Sequence, residues 1–136
     1  DVVVTNITCS GSHGLSVGSL AKNPGATDTV RDIVVKGATM IDSTKAAGFK
    51  LYPGGSSHGT AIVQNVTWSD VMVQNCGYAF QYTACYNEQV IYCTAKPSPA
   101  QVTDINLVNF SGTTSTAHAP TTAEVLCPVA GSNCQI

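Results

Sequence analysis

The sequence predicts an all-β chain wound as a parallel β-helix, and three observations carry that expectation. A phrase of the form Val, polar, Asn or Asp, Ile or Val returns four times, as Val4-Thr5-Asn6-Ile7, Val30-Arg31-Asp32-Ile33, Val63-Gln64-Asn65-Val66 and Val102-Thr103-Asp104-Ile105. Its copies begin 26, 33 and 39 residues apart, a period of the solenoid kind with one loop of variable length per coil. Between the copies lie β-branched or aromatic runs bounded by turn formers, and nowhere does an amphipathic helical period take hold. A β-sandwich would have no need of the repeated phrase.

Taken in order, the chain opens on Asp1-Val2-Val3-Val4, already inside a repeat. The Val and Ile of each phrase are expected to point inward and stack on their equivalents, with the Asn or Asp between them at a turn. The run from Cys9 to Leu20 is rich in Gly and Ser and holds His13, with Gly11, Gly14 and Gly18 around it. Such a segment lets a ligand approach the backbone; by composition alone, however, His13 reads first as a solvated loop residue. Thr39-Met40-Ile41, Gly48 to Tyr52, Asp70 to Gln74 and Tyr78 to Tyr82 read as further strands, and Lys45-Ala46-Ala47 is too short to nucleate a helix. Trp68 belongs to a strand of the repeat. His58, in Ser56-Ser57-His58-Gly59, reads as a solvated turn residue. The stretch Ser111 to Pro120 reads as a loop, and Glu124-Val125-Leu126 as a last strand. Neither end carries the polar cap a solenoid needs, so residues 1–136 are expected to be coils of a longer β-helix.

Composition narrows the function. Charged residues are only 10% of the 136, so the surface must be covered by Thr, Ser, Asn, Gln and Gly. The net charge of -2 offers no basic face to a phosphate backbone, which argues against nucleic acid. No apolar run approaches the roughly 20 residues of a spanning helix, so no membrane partner is expected. Six cysteines point to an oxidising compartment, and the chain is expected to be secreted and extracellular. Cys85 with Cys93 and Cys127 with Cys134 enclose short loops and lack the companions of a zinc site, so they read as two disulfides. Cys9 and Cys76 have no local mate. The sequons at Asn6, Asn65 and Asn109 fit a eukaryotic secretory route, with one expected to carry sugar. His13, His58 and His118 are scattered, so no metal and no cofactor is expected.

Read together, Gly11-Ser12-His13-Gly14-Leu15-Ser16-Val17-Gly18-Ser19-Leu20 resembles the Gly-His-Gly segment of the family 28 glycoside hydrolases, the polygalacturonases and their relatives. Gly48-Phe49-Lys50-Leu51-Tyr52-Pro53-Gly54-Gly55 is similar to that family's Arg-Ile-Lys segment, and Cys85-Tyr86 adds to the match. The resemblance covers the whole chain as C-terminal coils of a right-handed parallel β-helix and looks closest to the fungal exo-polygalacturonase and xylogalacturonan hydrolase branch. It implies inverting hydrolysis of α-1,4-galacturonosyl linkages. It also implies that His13 sits beside the catalytic carboxylates, that Lys50 holds the galacturonate carboxylate, and that Tyr86 contacts the same sugar.

Two departures follow. Gly48 stands where the motif has Arg, which is expected to open space for a xylose-bearing sugar. The family's three aspartates, which include an adjacent pair, have no match here: the acidic residues are Asp1, Asp28, Asp32, Asp42, Asp70, Glu88, Asp104 and Glu124, none adjacent to another. The general acid and base are therefore expected on the N-terminal part of the same enzyme, a partner to which Cys9 offers a disulfide. The rival reading is a non-catalytic β-helix that binds acidic polysaccharide or acts as a surface adhesin. A pectate lyase would use a calcium cluster and an arginine base, for which the lone Arg31 in a repeat turn is a poor candidate.

Overall fold

A computed structural model describes residues 1–127 and the backbone of residues 133–134. The strands are β1 (Val2–Ser10), β2 (Leu15–Leu20), β3 (Thr27–Ile41), β4 (Lys45–Leu51), β5 (Thr60–Cys76), β6 (Tyr78–Thr83), β7 (Gln101–Thr114), β8 (Ala123–Leu126) and β9 (Asn133–Cys134). They form two sheets, β1-β3-β5-β7-β9 and β2-β4-β6-β8, in which every neighbouring pair is parallel. Odd and even strands alternate between the sheets, so the chain climbs one coil per pair as a right-handed parallel β-helix.

The long strands are bent, and the sequence dictates where. In β5 the inward residues are Ala61 and Val63, then Val66 and Trp68, then Val71 and Val73. After each pair the alternation slips by one at Asn65, Asp70 and Asn75, which hold φ of 56°, 55° and 55°. Left-handed backbone is least costly for Asn, Asp and Gly, so these residues turn the corners. Three columns of corners result from the register: Asp32, Asn65 and Asp104; Asn6, Gly37, Asp70 and Asn109; Gly11, Asp42 and Asn75. Along them an Asn amide donates to an Asp carboxylate on the next coil: Asn65 to Asp32 at 2.8 Å, Asn75 to Asp42 at 2.8 Å, and Asn109 to Asp70 at 2.7 Å. Arms are thus five residues long.

This geometry corrects the repeat spacing. The phrases at Val30, Val63 and Val102 are in register, but Val4 pairs with Val35, not Val30. Successive coils are offset by 31, 33 and 39 residues, as between Ser12 and Ser43, Asn65 and Asp32, and Asn109 and Asp70. The first phrase matches the second corner of the next coil, one five-residue arm away from the corner it resembles.

Inside the coils Phe49 meets Trp68, Phe80 and Tyr82 edge-on, with centroids 5.2, 6.2 and 5.7 Å apart. All four are buried. Such pairs contribute roughly 0.5–1.5 kcal/mol each beyond the area they bury. Three further departures from the sequence reading are local. Ser111–Thr114 continues β7 before the chain turns, through a 3-10 helix at Thr116–His118. A short helix, α1 (Val90–Ala95), rides on the Cys85–Cys93 loop, with Val90 and Ile91 exposed; it has no apolar face for a periodicity search to find. A ninth strand follows β8.

Candidate functional site

The outer face of the β2-β4-β6-β8 sheet carries the candidate residues. Because Val17, Phe49 and Tyr82 point into the core, the positions beside them point out. One row across this face reads Ser16, Gly48, Gln81, Glu124, and the next reads Gly18, Lys50, Thr83, Leu126.

Lys50 and Tyr86 are brought together: the Lys50 ammonium lies 5.3 Å from the centre of the Tyr86 ring. Tyr86 leaves the end of β6, where its N–H donates to the Leu51 carbonyl at 2.9 Å. The disulfide between Cys85 and Cys93, with Cα atoms 5.7 Å apart, closes the loop that carries it. That loop folds back over residues 52–58, where the Tyr92 hydroxyl donates to the Gly54 carbonyl at 3.1 Å. Tyr52 meets Tyr86 edge-on at 5.4 Å. His58 is not the solvated residue its turn suggested. Its side chain is only 8% exposed, packs 5.1 Å from Tyr52 and 6.0 Å from Tyr92, and binds Glu88 through Nε2 at 3.2 Å. It braces the wall that places Tyr86.

His13 stands apart. It is exposed at the approach to β2, on a turn held by Ser12, whose hydroxyl is 2.9 Å from that of the buried Ser43. No hydrogen bond or ring contact joins it to Lys50. Beside it, Gly14 leaves room for Lys45: a Cβ at Gly14 would collide with the Lys45 carbonyl and come within 2.9 Å of its Cγ. A Cβ at Gly48 would collide with the Gln81 carbonyl and lie 3.1 Å from Lys45 Cδ. The Lys45 stem thus packs directly beside Gly48, where the side chain of the motif's arginine would begin. Gly18 lies against Lys50 in the same manner, its missing Cβ 3.1 Å from the Lys50 Cβ. Gly11 turns a corner at φ 62° with open space around it.

Lys45 was not singled out by sequence, and it leads into a polar chain. Its ammonium donates to Gln81 Oε1 at 3.4 Å; Gln81 Nε2 donates to Glu124 Oε1 at 3.0 Å; the Tyr78 hydroxyl donates to Glu124 Oε2 at 3.5 Å. Tyr78 in turn stacks on His118, rings 4.2 Å apart. Burial, and then the neighbouring Lys50, lower the Lys45 ammonium below the usual lysine range. Burial, and then Glu124, push the Tyr78 hydroxyl up. Two cations thus share this face, and Glu124 is joined to Lys45 only through the Gln81 amide.

Most of the eight acidic residues have structural partners elsewhere. Asp32, Asp42 and Asp70 serve the corner columns, Asp28 accepts the Ala21 N–H at 2.7 Å, and Glu88 binds His58. Among the described residues no group of three or more His, Cys, Asp or Glu is placed to hold a metal. Cys76 is a buried thiol and Cys9 a half-buried one. Cys127 is disulfide-bonded, while the side chain of Cys134, its expected mate, lies outside the described residues. The sequon residues Asn6, Asn65 and Asn109 all occupy exposed corners.

The family model for Glycosyl hydrolases family 28 matches residues 1–135. Endo-xylogalacturonan hydrolase A of Aspergillus tubingensis is 51% identical over 131 residues, covering 96% of this chain and 32% of that protein. "Probable endo-xylogalacturonan hydrolase A" of Emericella nidulans is 52% identical over 126 residues, covering 93% of this chain and 31% of its own length. The crystal structure of the endo-xylogalacturonan hydrolase from Aspergillus tubingensis superposes with a TM-score of 0.92 at 50% identity, over 98% of this chain and 35% of that one. The chain therefore spans about a third of the length of these relatives.

Proposed function

The chain belongs to Glycosyl hydrolases family 28, and from that premise we propose that it forms C-terminal coils of a secreted, pectin-degrading hydrolase and supplies part of its substrate groove. The substrate proposed is a galacturonan bearing xylose, cleaved within the chain, in keeping with the names of the relatives. The observation that carries the reading is the Lys50 ammonium held 5.3 Å from Tyr86 on an outer sheet face. A galacturonan presents one carboxylate per sugar. A fixed cation beside an aromatic face orients such a sugar through its charge at one side and its C–H surface at the other.

In this reading Lys50 and Tyr86 hold one sugar and His13 lies nearer the bond to be broken. The reaction is a single displacement. A carboxylic acid protonates the leaving glycosidic oxygen while a carboxylate takes a proton from a water, which attacks the anomeric carbon from the opposite face. Both carboxyl groups come from the N-terminal part of the same enzyme, and Cys9 is the cysteine available for a disulfide to it. The intact mass before and after reduction tests that bond. Glycan on one of Asn6, Asn65 or Asn109 goes with secretion, and a mass loss on enzymatic deglycosylation of secreted protein would reveal it.

The decisive experiment follows the enzyme that contains this chain on xylogalacturonan by NMR. The first product anomer should be β from an α linkage, and Lys50→Met should lower kcat/KM by at least about tenfold. An α anomer appearing first would overturn the inverting mechanism. Binding of galacturonan without any release of reducing ends would favour the non-catalytic binding module instead.

A further inference from the structure

We propose that Lys45 is a second cation of the acidic-sugar site, seated over Gly48 and acting from beneath the groove floor, together with Lys50, on the carboxylate of a uronic acid sugar. This rests on the groove reading above and names a residue that neither the motif nor its spacing picks out.

The placement is built. The Lys45 stem lies between Gly14 and Gly48, and both positions leave no room for a side chain. At Gly48, where the family resemblance puts an arginine, a cation is thus still present, delivered from three residues earlier. A guanidinium there would stand up from the strand as a rigid fork; the lysine lies flat, 3% exposed, and keeps its charge below the surface. A charge retained under a flush floor leaves height above it, which suits a sugar carrying a substituent.

The electrostatics point the same way. A buried ammonium is ordinarily matched by a buried carboxylate, because an unmatched one is expensive to desolvate. Lys45 instead has a neutral amide at 3.4 Å and a like charge for a neighbour. Gln81 cannot turn to serve it better, since its other end is committed to Glu124. A face with two cations and one remote carboxylate is left short of an anion, and a bound uronate would supply it. The effect is exerted across the floor, so Lys45 is a specificity residue acting through charge and does not need to touch the sugar.

The test uses the enzyme containing this chain and two probes, free-acid oligogalacturonate and its fully methyl-esterified form, titrated at low and high salt. Lys45→Met is expected to lower affinity for the free acid about tenfold, with a shallower salt dependence, and to leave the ester within about twofold. Lys45→Arg should stay within about threefold of the original, provided its melting temperature is unchanged. Equal free-acid affinity for the original and Lys45→Met would overturn the proposal, as would an equal loss for acid and ester, the mark of a merely structural role. If Lys50→Met weakens acid binding and Lys45→Met does not, this proposal alone fails. If the original protein binds neither probe, the groove reading fails and takes this one with it.

Discussion

The two outward surfaces of this coil treat polar groups in opposite ways. Around the corners of the long strands, each of Asp32, Asp42 and Asp70 receives an Asn amide from the next coil, and the same arrangement returns coil after coil. On the β2-β4-β6-β8 face nothing repeats: Ser16, Gly48, Gln81 and Glu124 share one row, and Lys45 and Lys50 sit side by side with a single remote acid. In a solenoid, repetition marks what stability needs, since every coil faces the same stacking problem. A row that breaks the repeat and leaves like charges together answers to something other than stacking, and the proposed groove lies there.

If that contrast is right, groups behind and upon the site face should tax stability, while corner groups should add to it. The largest effect expected concerns Tyr82, buried behind that face with its hydroxyl unpartnered. Burial pushes its phenol up to about 12, against about 10 in an unfolded chain. Between those values the folded protein keeps a proton that the unfolded chain has released, so stability falls as pH rises, by on the order of 2–3 kcal/mol. Denaturant unfolding from pH 9 to 12 should show the fall, and Tyr82→Phe should remove this contribution.

A corner should show an intermediate effect. Asn65→Ala loses the bond to Asp32 and leaves a β-carbon in left-handed backbone, together about 1–2 kcal/mol. Asn65→Gly relieves the backbone and should cost less. Equal losses from the two variants would mean that the backbone argument for the corners is wrong.

The smallest effect is one of sign. The Lys45 ammonium is held below the ordinary lysine range in the folded state, so the unfolded chain binds more protons there and stability rises as pH climbs toward that range. Lys45→Met should abolish that rise and leave the protein at least as stable at neutral pH. A clear loss of stability at pH 7 would place Lys45 with the corners and dissolve the contrast.

Much of the fold was legible because the coil is written locally. Asn or Asp after an inward Val states both a corner and a face, and the four phrases are enough to imply a solenoid. The first phrase was matched to the wrong corner for the same reason: corners one arm apart use the same chemistry, and only register separates Asn6 from Asp1. The motifs name Lys50 and Tyr86, which the fold brings within 5.3 Å of each other, and the spacing of Cys85 and Cys93 gives their bridge. Lys45 was hidden because nothing local distinguishes an outward lysine at a strand start from one that folds flat between Gly48 of its own strand and Gly14 just before β2. The burial of His58 escapes a local reading because its ring neighbours are Tyr52 and, from the disulfide loop folded over the turn, Tyr92. Gln81 and Glu124 acquire their role solely from the stacking of β6 on β8.

The five-residue arm gives the long strands a reading frame. A single residue inserted between Asn65 and Asp70 would exchange the inward and outward side chains of the rest of that arm and move the next corner out of its column, as a frameshift garbles all that follows it. The loops have no such frame: coils of 31, 33 and 39 residues stack equally well because the extra length leaves and rejoins the helix between strands. The loops between strands can therefore change length without disturbing the stack, while the corners accept changes only letter for letter.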